Sequence, residues 1–168
     1  MELWLSWRVR KVTVVLLCLL ALAACNSSPP VIQPVQFNHL AHTKRGLQCT
    51  FCHQYVQKAD FAGLPRLSVC ATCHRAKISS SEEAEKVRAY VKDRKEIPWH
   101  RIYRMPTFVN FSHQRHVTVG KLECKQCHGD IKDSAVPQVR PAVALTMNKC
   151  IACHDQRKVS TDCLACHH

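Results

Sequence analysis

The chain has 168 residues, which is enough for one small domain or two very small ones. Its 24 lysines and arginines outnumber its 12 acidic residues, giving a formal charge of +12, and it contains twelve cysteines. So many cysteines in so short a chain exclude an ordinary globular composition and require a specific role for the thiols.

The N-terminal residues 1–24 resemble a bacterial export signal. Arg8, Arg10 and Lys11 form a basic start, and residues 12–24 are almost uniformly small or apolar. This run is shorter than the about 20 apolar residues that span a membrane. It ends in Leu22-Ala23-Ala24-Cys25, which resembles a lipobox and predicts lipidation of Cys25 after cleavage. The alternatives are a plain signal peptide and an uncleaved anchor, in which Cys25 has no role.

Residues 25–36 are polar and proline-rich at their start, so we expect an extended tether. The mature chain would then lie in the bacterial periplasm, attached by lipid to a membrane, with the outer membrane favoured. Removal of residues 1–24 leaves 21 basic against 11 acidic residues, a net charge of +10. A basic surface of this kind is often a nucleic-acid site, but export argues against nucleic acid as a partner.

Residues 37–78 contain the first attachment motifs. Cys49 and Cys52 are followed at once by His53, and Cys70 and Cys73 by His74. Cys-x-x-Cys-His is the attachment signal of c-type haem, because two thiols at this spacing reach the two vinyl groups of one porphyrin and the next residue ligates the iron. We therefore expect a dihaem module here.

Residues 79–106 are predicted to form a helical linker. Ser79 to Ser81 can cap a helix, Glu82, Glu83 and Glu85 suit its positive N-terminal end, and an apolar stripe follows. Ile97-Pro98 is expected to end the helix. Elsewhere no strand-like alternation is present, so the fold is predicted to be mostly α with little regular structure.

Residues 107–168 contain three more motifs and are expected to form a trihaem module. Across the chain the five motifs predict five haems c, attached through ten cysteines: Cys49, Cys52, Cys70, Cys73, Cys124, Cys127, Cys150, Cys153, Cys163 and Cys166. The proximal iron ligands are predicted to be His53, His74, His128, His154 and His167. With about ten propionates, five haems would balance the basic charge. Because the apolar residues are too scattered to build a conventional core, the haems would also form most of the core.

Zinc and a redox dithiol are the competing interpretations of paired cysteines. Zinc sites use the pairs two at a time, so five pairs is an odd number, and zinc gives no reason for a histidine after every second cysteine. A redox dithiol requires a thioredoxin-like frame, which the sequence lacks.

Six histidines remain after the proximal ones are assigned. Four form two His-x-x-His pairs, His39/His42 and His113/His116, which are 74 residues apart and precede cysteine pairs that are 75 residues apart. Three-residue spacing places both imidazoles near one face of a helix, where they can reach two haems. These four are predicted distal ligands. Five irons need a fifth distal ligand, and His100 and His168 are the two histidines that remain.

Bis-histidine coordination leaves no iron position open for a substrate, so an electron-transfer protein of low potential is predicted. The alternative is a multihaem reductase with one five-coordinate haem.

The Phe-x-His-x-x-His segments ahead of Cys-x-x-Cys-His resemble class III multihaem cytochromes c of the cytochrome c3 and c7 type. Residues 97–113, with Cys127-His128-Gly129 and Leu145-Thr146-Met147, are similar to the pentahaem subunit of alternative complex III and the multihaem subunit of menaquinone reductase complexes. The resemblance implies two cytochrome c7-like haem modules, redox protein partners and possible membership in a membrane quinol-oxidising complex.

The resemblance also implies a ligand pairing, in which the first histidine of each pair ligates the haem attached just downstream. His39 then pairs with His53, His42 with His74, His113 with His128, and His116 with His154 or His167. For the fifth iron, His100 is favoured over His168 and Met147. Relatives often have histidine where Tyr103 stands here, and they have a membrane helix where this chain has a lipobox.

Overall fold

The computed structural model describes residues 29–168, of which residues 31–168 form one compact unit. The described chain contains these α-helices: α1 (His39–Thr43), α2 (Cys49–Cys52), α3 (Leu67–His74), α4 (Glu82–Asp93), α5 (Lys125–His128), α6 (Met147–Gln156) and α7 (Cys163–Cys166). A π-helix spans Gln114–Val119 and a 3₁₀ helix spans Ile131–Asp133. An isolated antiparallel bridge joins Val109 and His167, and no strand occurs in this range. The prediction of a mostly α fold with little regular structure is confirmed.

The predicted export signal and Cys25 lie outside the described residues, as does the start of the predicted tether. The described end of that segment packs on the rest of the chain, since Val35 is buried in the apolar cluster and Gln33 hydrogen-bonds to His100. Between residues 29 and 168, no helix combines the length and apolar character needed to cross a membrane.

Helix α4 confirms the helix predicted for the linker but ends earlier than expected. The Ser81 side chain caps it by accepting a hydrogen bond from the Ala84 backbone N–H. The helix ends at Asp93 and not at Ile97-Pro98, because Arg94 adopts a left-handed conformation (φ 54°) and its N–H donates to the carbonyl oxygens of Tyr90 and Val91. Such a residue closes a helix without any proline.

A small apolar cluster packs α3 against α4. Val35, Leu67, Val87 and Ile97 are buried in it, and Cys70, Tyr90, Val91 and Trp99 pack around them. No large side chain in the described range is completely buried, and fourteen large hydrophobic residues are exposed. The chain by itself therefore leaves much apolar surface in water, which favours a structure completed by large apolar groups.

The two repeats dock on each other reciprocally. In the first half, Leu40 N–H donates to the carbonyl of Ser134, and the Thr43 hydroxyl donates to the carbonyl of Lys132.

In the second half, the equivalent contacts run the other way. Gln114 N–H donates to the carbonyl of Ala59, and the Thr118 hydroxyl donates to the carbonyl of Gln57. Each His-x-x-His segment thus rests on the loop that follows the first haem motif of the other half. This reciprocal pattern is the one expected of two halves related by an approximate two-fold axis.

The π-helix absorbs a one-residue insertion in the second repeat. Leu40 and Gln114 are equivalent at a distance of 74 residues, whereas Thr43 and Thr118 are equivalent at 75. Because His42 and His116 are also 74 residues apart, the extra residue lies between His116 and Thr118, inside the π-helix Gln114–Val119. An added residue in a helical turn produces the wider π-turn and leaves the flanking contacts in register.

Candidate haem sites

All five cysteine pairs lie on short helices or helical turns. The first pair spans α2, the second lies in α3, the third extends from the N-cap of α5, the fourth lies in α6, and the fifth spans α7. All ten thiols are free. One helical turn brings the two sulfurs of each pair to the same side, which is the arrangement needed to reach two substituents of one porphyrin.

Three proximal histidines face a second histidine ring at nearly the same distance. The ring centres are 6.2 Å apart for His42 and His74. They are 6.3 Å apart for His113 and His128, whose planes differ by 4°. They are 6.1 Å apart for His116 and His154. Two metal–imidazole bonds of about 2 Å, with each ring centre about 1 Å beyond its nitrogen, give about 6 Å.

Of the two partners considered for His116, the structure therefore brings His154 to it. His39 lies near His53, close enough that the positive form of His53 contributes to the low pKa of His39. Burial is the main cause of that shift, which lowers the pKa of His39 to about 4. The imidazole is therefore neutral at pH 7, as a metal ligand must be.

Hydrogen bonds fix the tautomer of five of these histidines. Each uses Nδ1 to bond a backbone carbonyl at 2.7 or 2.8 Å: His42 to Asn38, His53 to Gly63, His113 to Asp60, His116 to Ser112, and His154 to Ser160. Because a carbonyl oxygen only accepts, Nδ1 carries the proton and Nε2 keeps its lone pair. This is the usual state of a metal-ligating histidine.

Two phenylalanines hold the His-x-x-His segments in the same way in both halves. Phe37 stacks on His42 at 4.6 Å and meets His39 edge-on at 4.7 Å. Phe111 stacks on His116 at 4.6 Å and meets His113 edge-on at 4.9 Å. The sequence contained the signal, since both precede the histidines at the same spacing, but their role as ring supports was not predicted.

The first motifs of the two halves lie side by side. Burial raises the pKa of the Cys124 thiol, and the adjoining Cys49 thiol raises it further. Burial also lowers the pKa of His128, with smaller contributions from His113 and His53. The reciprocal docking of the halves therefore places the Cys49 and Cys124 sites next to each other.

The fifth motif has a different environment. The His167 ring has Phe108 at 5.9 Å, and no second histidine ring contacts it within residues 29–168. His168 is exposed and donates its backbone N–H to Phe108. Met147 is 61% exposed at the start of α6. Among residues 29–168, neither His100 nor His168 makes a ring contact with His167.

His100 is held through its backbone. The Gln33 amide donates to the His100 carbonyl at 2.8 Å and accepts from the His100 N–H at 3.1 Å. Tyr103, at the position where relatives often have histidine, meets the His128 ring edge-on at 4.6 Å, and its hydroxyl accepts a hydrogen bond from Val143 N–H. It therefore supports a proximal histidine instead of adding a ligand.

These features fit haem c. The chain supplies thiols on helical turns, imidazole pairs spaced for one iron, and exposed apolar surface that a porphyrin can cover. A porphyrin held in this way supplies reversible one-electron chemistry at its iron.

Comparisons with known proteins agree with this assignment. The model of the class III cytochrome c family matches residues 21–101, and that of cytochrome c7 and related cytochromes c matches residues 109–168. Over 160 residues the chain is 33% identical to the multihaem cytochrome c subunit of menaquinone reductase from Nitratidesulfovibrio vulgaris, covering 80% of this chain and 76% of that protein. The chain belongs to the class III multihaem cytochromes c.

As a member of this family, the cytochrome binds haem c and carries electrons. The two family matches divide at the linker, so that each covers one of the two repeats.

Proposed function

We propose that this cytochrome carries five haems, one at each Cys-x-x-Cys-His motif, and relays electrons at low potential. The observation that carries the proposal is the common spacing of 6.1–6.3 Å between three proximal histidines and a second histidine ring. Bis-histidine ligation, without a methionine ligand to the iron, favours a low reduction potential. Mass spectrometry of the mature protein should show five haem additions, and three or fewer, or bound zinc, would contradict the proposal.

The proposed distal ligands are His39, His42, His113, His116 and His100. The first four occupy matched positions in the two repeats, and three of them face a proximal ring. His100 is proposed for the iron at His167 because it is the favoured candidate once the four paired histidines are assigned, and the Gln33 amide fixes its backbone on both sides. His100→Ala should convert one haem to high spin, whereas His168→Ala should leave all haems low-spin. The reverse result would assign the fifth ligand to His168.

The proposed electron route crosses between the halves at the haems of His53 and His128. The side-by-side position of the Cys49 and Cys124 thiols supports this crossing, since electron tunnelling falls steeply with distance. Hydrogen bonds between the halves hold the iron ligands rigid. The carbonyl of Asp60, in the first half, accepts the Nδ1 proton of His113, in the second half. A rigid ligand set keeps the reorganisation energy of electron transfer small.

The proposed setting is the periplasmic side of a membrane, with Cys25 lipidated. The Leu22-Ala23-Ala24-Cys25 junction supports it. A lipoprotein's several acyl chains would anchor the protein firmly, whereas one chain would be marginal. Cys25→Ser should release the cytochrome from the membrane fraction, and a variant that stays bound as tightly as the unsubstituted protein would require a different anchor.

Membership in a quinol-linked membrane complex is the second candidate. It is favoured by the similarity to a menaquinone reductase subunit over 76% of that protein's length. Purification from gently solubilised membranes tests it: a stable complex with other redox subunits would support this candidate, and recovery of the cytochrome alone would favour a free relay.

A further inference from the structure

The haem sites of α3 and α6 form a matched pair, one in each half. Their distal sides are alike. His42 donates its Nδ1 proton to Asn38 and His116 donates to Ser112, both within their own helical turn, and the ring distances to the proximal histidines are 6.2 and 6.1 Å. Any difference between the two sites must therefore come from the proximal side or the surroundings.

The proximal histidines differ in their second hydrogen bond. His154 donates its Nδ1 proton to the Ser160 carbonyl at 2.7 Å. The Nδ1 of His74 is buried and has no hydrogen-bond partner. A hydrogen bond from Nδ1–H to a carbonyl makes the imidazole a more basic ligand, which stabilises the oxidised iron and lowers its potential. The haem at His74 lacks this stabilisation of the oxidised state.

Equivalent positions on the two helices differ in exposure. Leu67 is 9% exposed, whereas Met147 at the matching position of α6 is 61% exposed. Ala71 is 6% exposed, and Ile151 is 42% exposed. The α3 site also packs Cys70 against the only apolar cluster identified within residues 29–168. An apolar surrounding disfavours the additional positive charge of oxidised iron, and so it also raises the potential.

The fixed charges differ between the two sites. Arg88 lies near His74 and Lys149 near Cys150, whereas the Glu96 carboxylate also lies near Cys70 and accepts a hydrogen bond from Leu67 N–H at 2.8 Å. This carboxylate opposes part of the effect of Arg88, so the difference between the sites depends on the hydrogen bond of the proximal histidine and on burial. At each haem of the first motifs, one ligating histidine donates to a carbonyl, His53 in the first half and His113 in the second. Hydrogen bonding therefore gives no difference in reduction potential between those two haems.

We propose that the haem attached at Cys70 and Cys73 has a higher reduction potential than its counterpart at Cys150 and Cys153, so that of these two haems the one in the first half is reduced first. The inference rests on the proposed function, since it requires one haem at each of these motifs. We expect at least a tenfold difference between the two reduction equilibria, which is about 59 mV for a one-electron couple.

Paired methionine variants of the distal ligands assign the two potentials in the intact cytochrome. Methionine in place of a distal histidine raises the potential of that haem and changes its spectrum. Optical spectroelectrochemistry of His42→Met and His116→Met identifies which component of the unsubstituted protein moves in each. The redox transition that shifts in His42→Met should have the higher potential of the two in the unsubstituted protein. If it starts lower than, or level with, the one that moves in His116→Met, the inference is wrong.

A second pair of variants leaves every ligand in place. Ala71→Ser adds a hydroxyl in the buried surroundings of the first site and should lower the component assigned to it, whereas Ile151→Ser at the exposed equivalent should leave the potentials unchanged. Equal shifts in the two variants would contradict the role of burial. Five haems with the opposite order of potentials would overturn this inference alone, whereas a missing haem at either motif would overturn the proposed function.

Discussion

Gly63→Ala should disturb one haem site through the backbone. Gly63 has φ +81°, a conformation that costs an alanine about 1 kcal/mol. A Cβ at this position would lie 2.8 Å from Cδ2 of the Tyr55 ring, and overpacking of this kind costs about 1–3 kcal/mol more. The Gly63 carbonyl accepts the Nδ1 proton of His53 at 2.7 Å, so the shift needed to relieve the clash also weakens that bond.

Gly46→Ala is the matched control. Gly46 has φ +80°, but a Cβ there would meet nothing within 4 Å, so only the backbone cost applies. Denaturant unfolding of the haem-loaded cytochrome should show Gly63→Ala less stable than Gly46→Ala by about 1–3 kcal/mol. The potential of one haem should rise only in Gly63→Ala, and removing the ring in Gly63→Ala/Tyr55→Ala should restore most of the stability. Equal stability in the two single variants, with unchanged potentials, would refute this reasoning.

Three further predictions follow from the fold and the ligands. Thr43→Val and Thr118→Val each remove one of the reciprocal hydrogen bonds, so each should lower the unfolding free energy by about 1 kcal/mol, and a clear loss in only one of them would contradict the two-fold relation. Burial lowers the pKa of His39, and iron ligation requires the same neutral imidazole, so its contribution to stability should be complete above pH 6.5 and be lost as the pH falls below that value; unfolding of the haem-loaded protein measured against pH should show a shallower slope in His39→Ala below pH 6.5. Expression without haem attachment should give an unfolded chain, since so few apolar side chains are buried, and a cooperative thermal transition of that apoprotein would contradict this prediction.

The local chemistry of the sites could be predicted from the sequence because it depends on short spacings. Cys-x-x-Cys-His fixes three ligating groups within one helical turn, and the repeat of the His-x-x-His pairs indicated that His42 and His116 have equivalent surroundings. The helix of the linker was also predictable, since its cap at Ser81 and its acidic first turn are local signals.

The carbonyl groups that orient the histidines could not be predicted, because they belong to the backbone. The carbonyls of Asp60 and Ser160 orient histidines regardless of the side chains at those positions, so the sequence carries no signal of them. The left-handed Arg94 that ends α4 is equally hidden, since glycine is the usual residue there. The change in repeat distance from 74 to 75 residues did indicate an insertion, but not that a π-helix absorbs it.

The most direct test of the ligand assignment is magnetic circular dichroism of His42→Ala and His116→Ala beside the unsubstituted cytochrome. The central claim is that one iron lies between His42 and His74 and another between His116 and His154, at ring distances of 6.2 and 6.1 Å. The unsubstituted protein should show only low-spin, bis-histidine haem, and each variant should convert one haem to high spin. Spectra that remain fully low-spin in both variants would contradict the claim.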